Sequence, residues 1–134
     1  MSIKWNRLGV TNGPSPTFLN NNTTPITADD IGKPVKVNSA NGKDLILCSA
    51  DDPVFMILQS CPRNTDANGN ATDLVVATAG CWEVPYTGSA PDPTSATPFV
   101  KADGSGGVTA HTAHLGAICI AVDTAASTCW IMLT

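Results

Sequence analysis

The residues best suited to chemistry in this chain are His111 and His114, three positions apart, with Asp103 upstream of them. A catalytic zinc site needs such a pair on a rigid element, together with a third ligand and an open coordination position. Here the pair follows the glycine-rich stretch Asp103-Gly104-Ser105-Gly106-Gly107, and its spacing suits a helical turn better than a strand. Loop histidines at the surface are therefore expected, not a metal site. The glycine stretch suggests phosphate binding only superficially. A phosphate loop continues into Lys and then Ser or Thr at the head of a helix, and Val108-Thr109 stands there instead.

Other combinations fail for similar reasons. Asp66, Asn68 and Asn70 have the alternation of a calcium loop, but Gly69 falls between the second and third candidate ligands and no glutamate follows at the required position. The paired carboxylates Asp29-Asp30 and Asp51-Asp52 are adjacent in sequence, so they point apart and do not oppose each other across a scissile bond. Thr27 precedes Asp30 by three residues, which makes these acids a cap for a single helical turn ended by Gly32 and Pro34. Five cysteines, Cys48, Cys61, Cys81, Cys119 and Cys129, form no C-x-x-C pair and are odd in number. They read as reduced, small apolar residues, without a zinc ribbon or a complete disulfide framework. Cys119 and Cys129 lie ten residues apart across an expected terminal hairpin, and whether they sit close enough to bridge is a question for the structure. No nucleophile elbow is present. The chain is read as a non-enzyme, with no catalytic, cofactor-binding or metal-binding residue assigned.

Composition narrows the partners. The 134 residues suit one domain, and only 13% are charged, against about 25% in an average soluble domain. A polar but weakly charged surface suits contact with other protein. Nucleic acid is not expected, because seven scattered Lys and Arg against eleven acids cannot neutralise a phosphate backbone. Residues 1–28 carry Lys4 and Arg7 and no acid, so a mildly basic front precedes an acidic body. No run approaches the ~20 apolar residues of a membrane helix, so no membrane is expected. The start MSIKWNRLGV lacks the long apolar core of a secretion signal, so synthesis in the cytoplasm is the default.

The elements that must carry these residues are strands. Residues 1–26 read as an extended arm: Pro14, Pro16, Asn20-Asn21-Asn22 and Pro25 break regular structure, while Ile3, Trp5, Leu8, Phe18 and Leu19 are apolar anchors costly to leave in water. Val35 and Val37 alternate with polar neighbours, Asn41-Gly42 supplies a turn, and Leu45 to Cys48 and Val54 to Leu58 are short buried strands. Leu74 to Ala77 and Cys81 to Val84 are two strand pieces around Gly80, or one strand bulged there. Residues 85–98 form a long proline-punctuated connector, and Phe99 to Lys101 a short strand. Leu115 to Val122 and Cys129 to Leu133 make the terminal hairpin, with Gly116, Ala117 and Ala121 leaving room for Trp130. The expected fold is all-β, a small barrel or sandwich of seven or eight strands over residues 27–134 behind the arm.

The segment Thr27 to Val37, TADDIGKPVKV, with the strand pair after it and Asp51-Asp52-Pro53, resembles the opening of the decoration or cement proteins of tailed-bacteriophage heads. The resemblance implies a β-tulip-like or small β-barrel domain on the outer capsid surface, often a homotrimer at quasi-threefold positions, that stabilises the head. Its partner would be the major capsid protein, reached by a capsid-binding arm comprising Ile3, Lys4, Trp5, Arg7, Leu8, Phe18 and Leu19. The resemblance brings no catalytic motif and no cofactor. An alternative reading is a small ligand- or carbohydrate-binding β module, such as a head-fibre or host-attachment domain, using Trp82, Tyr86 and the 85–98 connector.

Overall fold

The computed structural model describes residues 17–61 and 65–134. These form ten strands and one 3-10 helical turn, so the chain is all-β with more strands than the sequence reading counted. Five strands close a barrel in the order β1-β3-β2-β4-β5, and five form a second sheet in the order β6-β10-β9-β7-β8.

The barrel comprises β1 (Thr17–Asn20), β2 (Pro34–Val37), β3 (Asp44–Leu47), β4 (Met56–Ser60) and β5 (Leu74–Ala77). Closure depends on β1, which runs parallel to β3 with Leu19 opposite Asp44 and antiparallel to β5 with Phe18 opposite Leu74. Residues 17–26 are thus built into the body, whereas the sequence reading placed them in the arm. The reason lies in the asparagine run. Asn20 Oδ1 accepts the backbone N–H of Asn21 at 2.9 Å and of Ile26 at 2.8 Å, while its Nδ2 donates to the Ile26 carbonyl at 2.8 Å. Asn21 Nδ2 donates to Asp44 Oδ2 at 2.9 Å, and its Oδ1 accepts from the N–H groups of Thr23 and Thr24. Side-chain amides replace ladder pairing here and seat Ile26 in the barrel core.

The expected cap is present at the 3-10 turn Ala28–Asp30: the Thr27 N–H donates to Asp30 Oδ2 at 3.0 Å, and the Asp30 N–H donates to the Thr27 carbonyl at 3.0 Å. Gly32, at φ +92°, turns the chain into β2. β2 and β3 form the anticipated hairpin, with Val35 opposite Leu47 and Val37 opposite Leu45. Ile26, Val35, Leu45, Leu58, Leu74 and Val76 fill the barrel, with Phe18 and Met56 packed against them.

β4 is the wall shared by both halves. Successive side chains on a strand point to opposite faces. Leu58 enters the barrel core, while its neighbour Ile57 joins Val54 and Cys48 in a second core beneath the other sheet. That second sheet comprises β6 (Gly80–Pro85), β7 (Phe99–Ala102), β8 (Val108–His111), β9 (Ala117–Asp123) and β10 (Thr128–Leu133). Its inner face contributes Val84, Val100, Ala102, Val108, Ala117, Cys119, Cys129, Ile131 and Leu133. A parallel bridge between Tyr86 and Val108 links the chain after β6 to edge strand β8, curling the sheet around this core. Gly80, at φ +95°, is where the chain leaves the barrel, so the strand pieces on either side of it are separate strands in different sheets.

The acidic-proline turn clasps the halves together. The Asp51 N–H donates to the Ala102 carbonyl and the Ala102 N–H to the Asp52 carbonyl, both at 2.9 Å. Asp51 pairs with Lys101 at 2.6 Å and Asp52 with Lys36 at 2.5 Å. Gly116 completes the contact: a Cβ there would lie 2.4 Å from the Phe55 ring and 2.6 Å from the Val54 carbonyl oxygen.

Candidate interaction surface

The chemistry-bearing residues are dispersed. His111 ends β8, and His114 lies in the loop beyond it, where its ring meets Phe99 edge-on at 5.4 Å and its Nε2 is 2.6 Å from Thr134 Oγ1. Asp103 Oδ1 accepts from the N–H groups of Ser105 and Gly107, and Thr87 Oγ1 donates to its other oxygen, so the carboxylate shapes the β7–β8 turn. Asp66 Oδ1 likewise accepts from the N–H groups of Asn68 and Asn70. Among the described residues, no group of three or more His, Cys, Asp or Glu side chains could hold a metal ion. Burial pushes the thiols of Cys48 and Cys129 up to about 12 and raises those of Cys61 and Cys119, so all four are protonated at neutral pH.

The arm anchors separate. Ile3, Lys4, Trp5, Arg7 and Leu8 lie outside the described residues. Phe18 packs against the barrel core, while adjacent Leu19 points outward and is 55% exposed. Trp82 and Tyr86 are half-buried and pack against the second core, and Trp82 Nε1 donates to the Ala79 carbonyl at 3.2 Å. In the 85–98 connector Pro91 is buried, and Asp92 Oδ1 accepts from the Thr94 hydroxyl and N–H.

What the fold does assemble is an apolar outer face on the second sheet. β10 buries Cys129, Ile131 and Leu133, which leaves Trp130 and Met132 facing out, 43% and 38% exposed. Directly opposed residues on neighbouring strands share a face. Met132 is opposite Cys81 on one side and Ile118 on the other, Ile118 is also opposite Phe99, and Phe99 is opposite His111. One row of outward side chains therefore crosses all five strands. Beside it, Trp130 lies between Glu83 and Ala121, where the small alanine leaves the indole room. The register shifts between Trp130 and Ile131, which leaves Ile120 as the extra residue of a bulge in β9, 44% exposed.

The sequence reading used Trp130 only as a bulky neighbour and did not find this face. A signal was present: Ile118-Cys119-Ile120 and Cys129 to Leu133 are apolar at successive positions, so each strand has two faces to cover. Family models, curated proteins and solved structures were all compared with the chain, and none matches it.

Proposed function

We propose that this chain is a structural virion protein that binds the outer surface of a tailed-phage capsid and cements the head. The observation that carries the reading is the outer face of the second sheet, where Trp130, Met132 and Ile120 stand exposed beside half-buried Ile118 and Phe99. A contiguous apolar patch on a folded domain marks a surface that another protein covers. Two features support the same reading: the charge-poor composition, and the opening TADDIGKPVKV, which resembles that of capsid decoration proteins. The partner is the major capsid protein, and the chain acts as a homo-oligomer, a trimer in the arrangement that the resemblance implies. Weak contacts repeated over a lattice become strong through avidity. The basic segment holding Lys4 and Arg7, with Ile3, Trp5 and Leu8, is a second contact with the capsid.

The test is sedimentation with expanded heads that lack this chain, comparing the full chain with one that starts at residue 17. Cutting there spares β1, and with it the barrel. The full chain is expected to co-sediment at a copy number comparable with the major capsid protein, and the shortened chain to bind more weakly. Absence of the full chain from such heads contradicts the function, whereas equal binding by both contradicts only the role of the arm.

A further inference from the structure

The second sheet guards one of its edges and leaves the other open. At one end β8 is covered: Tyr86 bridges Val108 in parallel, the Thr87 N–H donates to the Val108 carbonyl at 3.0 Å, and Thr109 Oγ1 donates to the Thr87 carbonyl at 3.1 Å. At the other end β6 has β10 on one side and, among the described residues, no strand on the other. The register shows which of its groups are open. The Tyr86 N–H donates to the Ser127 carbonyl at 3.1 Å, one step beyond the pair of Pro85 with Thr128. Antiparallel pairs alternate between those that exchange hydrogen bonds and those that do not. Val84 therefore bonds to Cys129, Trp82 to Ile131 and Gly80 to Leu133, while Cys81, Glu83 and Pro85 turn their backbone groups away from β10. Pro85 has no N–H, and its carbonyl is crowded by Gly107, where a Cβ would lie 2.4 Å from that oxygen. The open edge is thus the N–H and C=O of Cys81 and of Glu83. No lysine stands on the strand and no bulge interrupts its pairing with β10, the usual devices that keep an edge from pairing.

We propose that a second copy of this chain docks on the β6 edge, antiparallel and about a twofold axis at Trp82, so that the two outer sheets become one. A twofold contact requires a patch that complements itself, and this edge does so in one register. With Trp82 opposite its twin, Cys81 of each copy faces Glu83 of the other and the two exchange both backbone hydrogen bonds. Trp82, half-buried on the inner face, then meets the other indole at a pair without hydrogen bonds, where side chains come closest. Val84 faces Gly80 of the second copy, which has no side chain to crowd it. The neighbouring registers fail. An axis at Glu83 sets two carboxylates opposite each other and leaves the Cys81 carbonyl facing Pro85, which has no N–H to give. An axis at Cys81 sets Glu83 against Ala79, which lies beyond the bend at Gly80, φ +95°, with its carbonyl already bonded to Trp82 Nε1. This fit of the edge to itself is what selects a second copy over a foreign strand. The pair brings Trp130 and Met132 of both copies onto one continuous outer face. Being twofold, it joins copies of neighbouring trimers and not the copies within one. The pairing does not depend on the capsid reading and is tested without heads.

The experiment is sedimentation equilibrium of the full chain under reducing conditions over a concentration series, because a contact made by one strand edge is small and its pairing depends on concentration. An even-numbered particle is expected, a dimer or a dimer of trimers, whose mass falls on dilution. A mass that stays that of a monomer or a trimer at the highest concentration overturns the proposal. If residues 1–16 of the same chain occupy the edge instead, the full chain stays unpaired while a chain starting at residue 17 pairs, which also overturns it. Glu83→Pro removes an N–H that β10 does not use, on an edge strand that tolerates proline, and should halve the mass of the particle. Glu83→Ala keeps that N–H and should leave the pair intact. A folded Glu83→Pro chain that still pairs places the contact elsewhere and contradicts the inference. Amide hydrogen exchange reads the same edge without any substitution: exchange at Cys81 and Glu83 should slow as concentration rises, and exchange there that is independent of concentration contradicts the pairing.

Discussion

The barrel and the second sheet cover their surfaces in opposite ways. The barrel closes on itself, so it has no free strand edge, and its exposed large apolar residues, Leu19, Ile31 and Phe55, come from separate segments. Its acids and amides tie loops and ends: Asn20 and Asn21 fasten the loop to Ile26, Asp30 pairs with Lys33 at 2.8 Å, and Asp52 pairs with Lys36. The second sheet places apolar side chains on both faces of β9 and β10, one face on the core and the other facing out. The barrel thus completes itself, and the sheet offers a surface for a partner to complete. Because β4 contributes to both cores and the Asp51-Asp52 turn ties the two halves together, the barrel serves as the base that presents the sheet.

The largest expected effect comes from attacking the shared wall. Leu58→Ala empties the barrel side of β4 and Ile57→Ala the sheet side, and each should cost about 2–5 kcal/mol. Because both residues lie on one strand, either variant should still unfold in a single transition by calorimetry and by denaturant titration. Two separated transitions would show that the halves are independent. A smaller loss, about 1–3 kcal/mol, is expected for Gly116→Ala, where the positive φ of +96° and the Phe55 contact both oppose a side chain. Gly42→Ala is the control: φ is +69°, but nothing lies within 4 Å of the added carbon, so backbone strain alone should cost less. Equal losses would remove Gly116 from the joint.

Acid should weaken the barrel and the joint. Burial alone would raise the carboxyls of Asp30, Asp44 and Asp52, yet all three are held below their ordinary value of 3.8. For Asp30 the hydrogen bonds from Lys33 and the Thr27 N–H outweigh burial, for Asp44 those from Asn21 and Asn41, and for Asp52 those from Lys36 and the Ser49 N–H. A depressed folded pKa contributes stability above the unfolded value and loses it as pH falls through the folded one. The melting temperature should therefore be flat from pH 6 to about pH 4 and fall below pH 3.8. Asn21→Ala removes the amide that donates to Asp44 and should make that acid loss shallower. An unchanged acid profile in this variant would mean that Asp44 does not contribute to it.

Much of the barrel was legible in the sequence, because its signals are local. The Thr27 to Asp30 cap, the Val35 and Val37 alternation and the Asn41-Gly42 turn each specify their element within a few residues. The terminal hairpin was legible for the same reason. β1 was not, since Thr17 to Asn20 pairs with β3 and β5 from far along the chain, and its flanking prolines and asparagines read as breakers. β8 was missed because Val-Thr-Ala-His is short and follows a glycine run. The long apolar run before and within β4 was read as a buried strand, but only the structure shows that Ile57 and Leu58 serve different cores. The outer face of the second sheet was hidden for a related reason: its row needs the pairing of five strands, and the sequence orders them differently.

The smallest effect on stability should accompany the largest effect on binding. Trp130→Ser with Met132→Ser alters outward side chains away from both cores, so the folded state should change by no more than about 0.5 kcal/mol. The most direct test of the account is therefore co-sedimentation of this double variant with expanded heads lacking the chain, alongside the unaltered protein and with melting temperature as the check on folding. The account predicts a folded variant that leaves the heads bare or thinly covered. Full coverage by a folded variant would contradict the claim that the outer face of the second sheet is the binding surface.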